Sequence, residues 1–593
     1  MIELPLYLYV VYCFAFGMTF FVIGNIVLSS FFKEGVAGLN KFSLFFYCLC
    51  IGMSLSILII YFLGMVGQFN KIAIFLIFTV CWVLSIIKRQ QFRWLAINNI
   101  EFSTLCVILF LVLIFAVTLL SSLRAPGDWD DTMYHLPLAR SLVEHHAIVV
   151  EQYLRFPLFP QNADLLMALG LQLGDVRLAQ FLANICFFVI ACGLVGCSWE
   201  ITKTYYPGII ATILLFTINP LKDHLGYAYI DLTLSLFCFA AASILIYIRS
   251  ENNKTQNELI FLCGFFIGIA CGVKLFGAIY GVIIFVILIA KKRNIQTFLI
   301  FSLATILGGI YWYVRSFWIS GDPFSPAGGN IFGHYLWNEI DLQVQTAEQA
   351  RHGISPATLD LQQAINKVGS DVVFYAILSV FTLRNNKILW VFFSIVLTYV
   401  LFWFSVTQVD RYLSPIYPLS VLLVAISIAS LIKDINITNY KLGRYFILAC
   451  IIFFSGRSLY FEFKYFYSEY LNFNSRLESR YSYELMKKAS EKASEYSELY
   501  GDNLIQLGLE DGIYFYKGMA IGDVFGLARY SDWTICNPEC EVIPQDDLIE
   551  KMKSFNSSFI VISKRSYANF NPEKYPKFKV LMDTPNGILI AIK

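Results

Sequence analysis

Long apolar runs separated by short polar breaks occupy the chain as far as about residue 460. A helix needs about 20 apolar residues to cross the hydrocarbon of a bilayer. By that measure the pattern predicts about fourteen spans, at 5–30, 43–66, 71–88, 102–121, 177–198, 207–220, 227–248, 258–273, 275–290, 297–319, 371–383, 387–406, 412–432 and 443–459. The stretch 258–290 reads either as two spans or as one kinked region, and 371–383 is short for a crossing. Beyond 460 the periodicity changes. Ser475 to Tyr500 reads as an exposed amphipathic helix rich in Glu, Lys and Ser, followed by β-like runs at 503–509, 558–563, 579–583 and 587–593. A small α/β domain of about 100–130 residues is expected there, large enough for its own core.

Basic residues set the orientation. Lys88, Arg89 and Arg93 follow the third span, Arg249 and Lys254 the seventh, and Lys291, Lys292 and Arg293 the ninth. Arg384 and Lys387 follow the eleventh, and Lys433, Lys441 and Arg444 the thirteenth. All fall on one side if the count holds, and the positive-inside bias makes that side cytoplasmic. The loops 122–176, 221–226 and 320–370 and the tail 461–593 are then external, so the chemistry is expected outside.

Composition agrees with a membrane protein: of 593 residues 58% are hydrophobic and 15% charged, with mean hydropathy +0.63. A net charge of +2 offers no polybasic signature, so no nucleic-acid partner is expected. The first apolar run, Leu6 to Phe32, is too long for a signal h-region, and no cleavable signal is expected. Twelve of the 14 cysteines fall inside apolar runs, where they act as small hydrophobes. Cys536 and Cys540 lie in a polar stretch; their spacing allows a local disulfide in an oxidising compartment and equally two free thiols.

Candidate chemistry begins just after the fourth span, in Arg124-Ala-Pro-Gly-Asp128-Trp129-Asp130-Asp131-Thr132-Met133-Tyr134-His135. Pro-Gly-Asp is ordinary turn chemistry, and Asp131 or Thr132 suits a helix cap. Thr132 to Ala147 looks helical, with Leu136, Ala139, Leu142 and Val143 on one face and Pro137 delaying or kinking its start. Such a helix is expected to lie along the membrane surface with Asp130 and Asp131 at its start.

The order of a span, Asp-Asp-x-x-Tyr and a surface helix resembles the GT-C superfamily of membrane glycosyltransferases, whose protein O-mannosyltransferases and aminoarabinose transferases carry an Asp-Glu motif there. Asp130, Asp131 and Tyr134 match it, with Asp131 in place of Glu. Further matches in order are Tyr227-Ala-Tyr229-Ile-Asp231, Gly268 to Gly277 with Lys274, Arg315 to Pro326, and Asp410-Arg411-Tyr412-Leu-Ser-Pro415. The resemblance covers roughly 102–460. It implies a mainly α fold, with 1–101 a three-helix addition, 102–460 a GT-C-like catalytic core and 461–593 an extracytoplasmic α/β domain that helps bind the acceptor. It also implies a multi-pass protein of a bacterial inner membrane whose active site faces the periplasm or exterior.

The implied reaction moves a sugar from a polyprenyl-phosphate donor to a glycan, lipid or protein acceptor at the bilayer. The leaving phosphate is already anionic, so the chemistry needs a base for the acceptor hydroxyl and cations for the phosphate. The resemblance makes Asp130 the base and Asp131 its helper. Lys274, Arg315 and Arg411 are the candidate clamps; snorkelling to headgroups is the alternative for each. Tyr134, His135, Asp164, His224 and Asp231 are supporting candidates. Asp231, about one turn into a span, is expected to pair with Lys274 or Arg315 or to touch the acceptor. A divalent metal is open, with Asp131, His135 and His224 as candidate ligands and ordinary loop roles as the alternative. His145 and His146 are expected to be structural. Gly264, Gly268 and Gly272 read as tight helix packing rather than a phosphate cradle. A flippase would want charges deep along a central path and repeated halves; here the polar residues gather at one face and no repeat is seen. A polymerase or ligase of unrelated fold and a non-catalytic assembly protein are the remaining alternatives.

Overall fold

The computed structural model describes residues 4–32, 38–87, 101–248, 253–351, 386–406, 408–437, 456–457, 459–536 and 540–593. The expected span 371–383 and most of 443–459 lie outside the described residues, as do Lys88, Arg89, Arg93, Arg249, Arg384, Lys441, Arg444 and His352.

The other expected spans all coincide with helices. Among the described residues seven are long and apolar enough to cross a membrane: Leu6–Phe31, Lys41–Met65, Phe102–Ser121, Val176–Thr202, Ile295–Ser320, Lys387–Val406 and Asp410–Ser430. Lys71–Ile87, Tyr206–Thr217 and Asp231–Ile244 are apolar but shorter. The chain is an integral multi-pass membrane protein, mostly helical. Local chemistry shortens several expected spans. Pro220 opens a separate helix Asn219–His224, and an irregular stretch through Gly226 delays the next helix to Asp231. Asp231 is thus the first residue of its helix rather than a turn inside it. A carboxylate there lies at the favourable end of the helix dipole. The region 258–290 is two helices, Asn253–Cys271 and Phe276–Lys292, with Lys274 in the break.

The molecule divides into two compact units. One comprises Met1–Leu123, Pro160–Tyr313 and Ala347–Ser468; the other comprises Arg124–Phe159, Val314–Thr346 and Glu469–Lys593. The first unit is the helical membrane body. Glycines set its closest approaches. A Cβ on Gly268 would strike the Thr305 carbonyl and the Gly308 backbone, and one on Gly264 would strike Phe301. Thr305 Oγ1 donates to the Gly264 carbonyl at 3.1 Å across this contact. The glycine spacing is therefore helix packing, as small residues in membrane helices serve.

The second unit contains the expected α/β structure. Its strands are β1 (Asn503–Leu507), β2 (Ala520–Ile521), β3 (Thr534–Cys536), β4 (Cys540–Val542), β5 (Ser557–Ser563), β6 (Phe578–Asp583) and β7 (Gly587–Ile592). Five form one sheet in the order β2-β1-β5-β7-β6. β1 runs parallel to β2 and β5, while β7 is antiparallel to β5 and β6. The central strands β5 and β7 are buried throughout, which is why they read as unbroken apolar runs. Ile505, Ile560, Ile562 and Ile590 pack with Leu548 and Met552 of helix Gln545–Ser554. A disulfide joins Cys536 to Cys540 across the β3–β4 hairpin. The predicted helix 475–500 is two helices, Phe473–Glu478 and Tyr483–Tyr500. The Ser475 and Ser479 hydroxyls donate to backbone carbonyls three residues back, competing with the helix ladder near the break.

Gly268→Val is expected to destabilise the helical unit by about 1–3 kcal/mol, because the added carbons meet backbone that cannot yield. Gly17→Ala, where nothing lies within 4 Å of the added carbon, serves as the neutral control. Thermal unfolding of the two variants in detergent checks this.

Candidate active site

In the second unit the sequence Ala125-Pro126-Gly127-Asp128 turns sharply, and Gly127 sits at φ 148°, a conformation L side chains rarely adopt. The turn is closed by its own carboxylates. The Gly127 N–H points to Asp131 Oδ2 at 3.4 Å. The Trp129 N–H donates to Asp128 Oδ1 at 2.8 Å, and Thr132 donates both its N–H and its hydroxyl to the Asp128 carbonyl. Asp131 therefore braces the turn before it; it does not cap the helix after it.

Asp131–His135 form a π-helical turn, in which the Leu136 N–H bonds the Asp131 carbonyl. Pro137 has no N–H to continue an α ladder into this segment, and the regular helix, Leu136–His145, takes over from there. Such wide turns recur at functional sites. The expected helix 132–147 is thus present from 136, with Leu136, Ala139 and Leu142 buried, and His146 ends it in the left-handed conformation.

Burial divides the two aspartates. Asp130 keeps 9% of its surface exposed and Asp131 none. Asp131 Oδ1 is buried, and among the described residues no donor reaches it. Burial pushes the Asp131 carboxyl up to about 7, and Asp128 adds to the rise, while the Gly127 amide, His135 and Arg480 oppose it. Tyr134 packs edge-on against Phe156 at 5.2 Å and lies beside the buried His135 at 4.3 Å. Trp129, by contrast, is 45% exposed.

The first unit gathers a different set. Lys274 Nζ is 3.3 Å from Asp231 Oδ1, so of the two partners expected for Asp231 the lysine is found. The same ammonium stands 4.2 Å from the ring centre of Tyr412. Arg411 Cζ lies 5.7 Å from that ring and 5.5 Å from the ring of Tyr229, both within cation–π range. His224 packs on Tyr229 at 4.2 Å, and its Nδ1 lies 2.6 Å from the Pro220 carbonyl. A carbonyl only accepts, so Nδ1 carries the proton. Four sequence candidates, Asp231, Lys274, Arg411 and His224, are thus linked through two tyrosines. The 3-10 turn Asp410–Ile416 holds Arg411 and Tyr412 in place. Its backbone accepts hydrogen bonds from Trp403 at Val409, Tyr399 at Tyr412 and Ser235 at Ser414.

The remaining candidates are placed elsewhere. Arg315 spends its guanidinium on the carbonyls of Val149 and Pro157, at 2.9 and 3.2 Å, tying down the loop after the motif helix. Asp164 is buried in the first turn of helix Asn162–Leu173. His145 bonds the Ser141 carbonyl of its own helix. Among the described residues no three His, Cys, Asp or Glu side chains gather to hold a metal ion. Asp131 and His135 belong to one unit and His224 to the other.

Sequence reasoning missed three anchors. Asn162 donates to the Ile269 carbonyl and accepts from Tyr311 and Trp312, while its N–H bonds the Gly272 carbonyl just before Lys274. Arg480 donates to the Gly127 carbonyl. Arg155 pairs with Asp523, with Nε at 3.0 Å. Each is a long-range pairing that no local spacing announces.

A family model described as SF2091/S2213 matches residues 472–591. Three Shigella flexneri proteins are near-identical to parts of the chain. "Uncharacterized protein SF2093/S2215" is 93% identical over 199 residues, 34% of this chain and 100% of that protein. "Uncharacterized protein SF2092/S2214" is 97% identical over 28% of this chain and 92% of its own length. "Uncharacterized protein SF2091.1/S2213" is 95% identical over 21% of this chain and 100% of its own length. Among solved structures, apo ArnT from Cupriavidus metallidurans superposes with a TM-score of 0.52 at 12% identity, covering 83% of this chain and 98% of ArnT. The same protein bound to undecaprenyl phosphate gives 0.50 at 11% identity, covering 82% and 98%. The chain has the fold of ArnT.

Because Asp131 holds its proton more tightly folded than unfolded, its contribution to stability is full below pH about 4 and is lost as pH rises through about 7. Thermal unfolding across pH 4–8 is expected to show a fall in wild type that is shallower in Asp131→Asn. Parallel curves for the two proteins would contradict this.

Proposed function

The chain belongs to the family of the Shigella flexneri proteins SF2093/S2215, SF2092/S2214 and SF2091.1/S2213, and we propose that it is a membrane glycosyltransferase using a polyprenyl-phosphate sugar. The observation that carries this reading is the grouping of Lys274 and Arg411 about Tyr412, on the fold with which ArnT holds undecaprenyl phosphate. Two cations held by aromatic faces suit a phosphate that is released with its charge intact. Asp231 answers the Lys274 charge in the absence of donor and keeps the ammonium in place.

In the proposed step the acceptor oxygen bonds to the anomeric carbon while the bond from that carbon to the phosphate oxygen breaks. Asp130 accepts the acceptor's proton, and polyprenyl phosphate leaves with the bonding electrons. Asp130 suits the base because, unlike Asp131, it retains exposed surface. Asp131 is its support, bracing the turn through Gly127. Tyr134 and His135 line the turn, and Asp164 and His224 are second-rank candidates for the substrate-binding surround. Arg315 is better read as a clamp on the 149–157 loop than as a phosphate ligand. The acceptor is a glycan, a lipid or a protein.

The reading also keeps about fourteen spans, with the basic loops in the cytoplasm and the chemistry on the periplasmic or outer face. Residues 1–101 are taken as an addition to the core 102–460, and 461–593 as the acceptor-side domain.

The test is transfer by the full-length protein in proteoliposomes, offered a panel of polyprenyl-phosphate sugars with and without chelator. Asp130→Asn is expected to lower transfer by about 10²–10⁴-fold, the range of a lost general base, with folding unchanged. Lys274→Ala and Arg411→Ala are expected to weaken donor use, and Arg315→Ala to lower stability instead. Transfer retained by a folded Asp130→Asn protein refutes the assignment of the base.

A further inference from the structure

We propose that Arg480 is a positioning residue for the aspartate turn, an assignment that rests on the reading of Asp130 and Asp131 above: its guanidinium holds the Gly127 carbonyl, so that the opposite face of the same glycine meets Asp131, and it sets a fixed positive charge toward that carboxylate.

The geometry runs through one residue. Arg480 donates to the Gly127 carbonyl, and the Gly127 N–H turns to Asp131 Oδ2. Gly127 holds φ 148°, and a Cβ there would strike the Arg480 side chain, so the turn is shaped to the arginine. Asp131 has no exposed surface, and a carboxylate in that setting needs a nearby cation to remain an anion. Arg480 is a permanent one. It also acts on Asp511, a second carboxyl raised by burial, in the 3-10 turn Glu510–Phe515. Arg140, from the motif helix, donates to the Tyr514 carbonyl of that same turn at 2.8 Å. Both ends of the motif are therefore anchored by the part of the chain expected to serve only the acceptor. Arg480 itself emerges from the break between helices Phe473–Glu478 and Tyr483–Tyr500, which frees it to reach outward.

The experiment compares wild type, Arg480→Ala, Arg480→Gln and Arg480→Lys as full-length protein in nanodiscs, by amide hydrogen exchange and by transfer kinetics with the panel above. In Arg480→Ala and Arg480→Gln, peptides covering 125–135 are expected to exchange several-fold faster, while those covering β1 and β5 stay at wild-type rates. Their kcat is expected to fall by about 10²-fold, as for a misplaced reacting group, with KM for the donor within about twofold because Lys274 and Arg411 are untouched. Arg480→Lys, which keeps the charge and one donor, is expected to recover most of the loss. Unchanged exchange at 125–135, or loosening spread equally through β1 and β5, overturns the proposal. Exchange that rises locally while transfer is unaffected overturns it too, and removes the aspartates from the transfer step. A wild type inactive with every donor overturns the functional reading, while local exchange still reports whether Arg480 holds the turn.

Discussion

A charge withdrawn from water must be answered close by, and the polar chemistry of this protein follows from that constraint. Lys274 lies in a break between two apolar helices, and Asp231 answers it at 3.3 Å. Arg411 is answered by the faces of Tyr229 and Tyr412. Asp131, fully buried, is answered by one backbone amide and by a guanidinium from far along the chain, and the shortfall appears as a carboxyl raised to about 7. The two groups are built oppositely. The cations stand against aromatic faces, whereas Asp131 is held by backbone geometry, which fixes direction.

The supporting elements follow the same division. Around Lys274, Asn162 gathers carbonyls and ring donors so that the helix break keeps one shape. The helices behind it approach at Gly264 and Gly268, close enough that only hydrogen fits. Around the aspartates stand a π-helical turn and a glycine at positive φ, and three arginines, at 140, 155 and 480, bond the 124–159 segment to the 461–593 segment. Precise placement of reacting groups needs such rigid backing, since loops alone fix side chains poorly.

Much of this was legible in the sequence. Apolar periodicity located the helices, because a span must be apolar over its whole length. The strands β1, β5 and β7 were readable for the related reason that they are buried along nearly all their length. The pairing of Asp231 with Lys274 was readable as one of two options, since a carboxylate near a span end needs a cation. What escaped were features decided by distant partners. Arg315 bonds the carbonyls of Val149 and Pro157, contacts that no local pattern names. Arg480 sits in a stretch with ordinary helical composition, and only the fold brings it to Gly127. Two expected spans are shorter than hydropathy alone suggests, because Pro220 and the irregular segment before Asp231 break runs that it joins.

The central claim is that Lys274 and Arg411 receive the phosphate of a polyprenyl carrier while Asp130 acts on the acceptor. Binding of undecaprenyl phosphate to the full-length protein in nanodiscs tests it most directly. Saturable binding is predicted, weakened by about tenfold or more in Lys274→Ala and Arg411→Ala, the scale of a lost charged hydrogen bond, and unchanged in Asp130→Asn. Equal affinity in all four proteins would contradict the account.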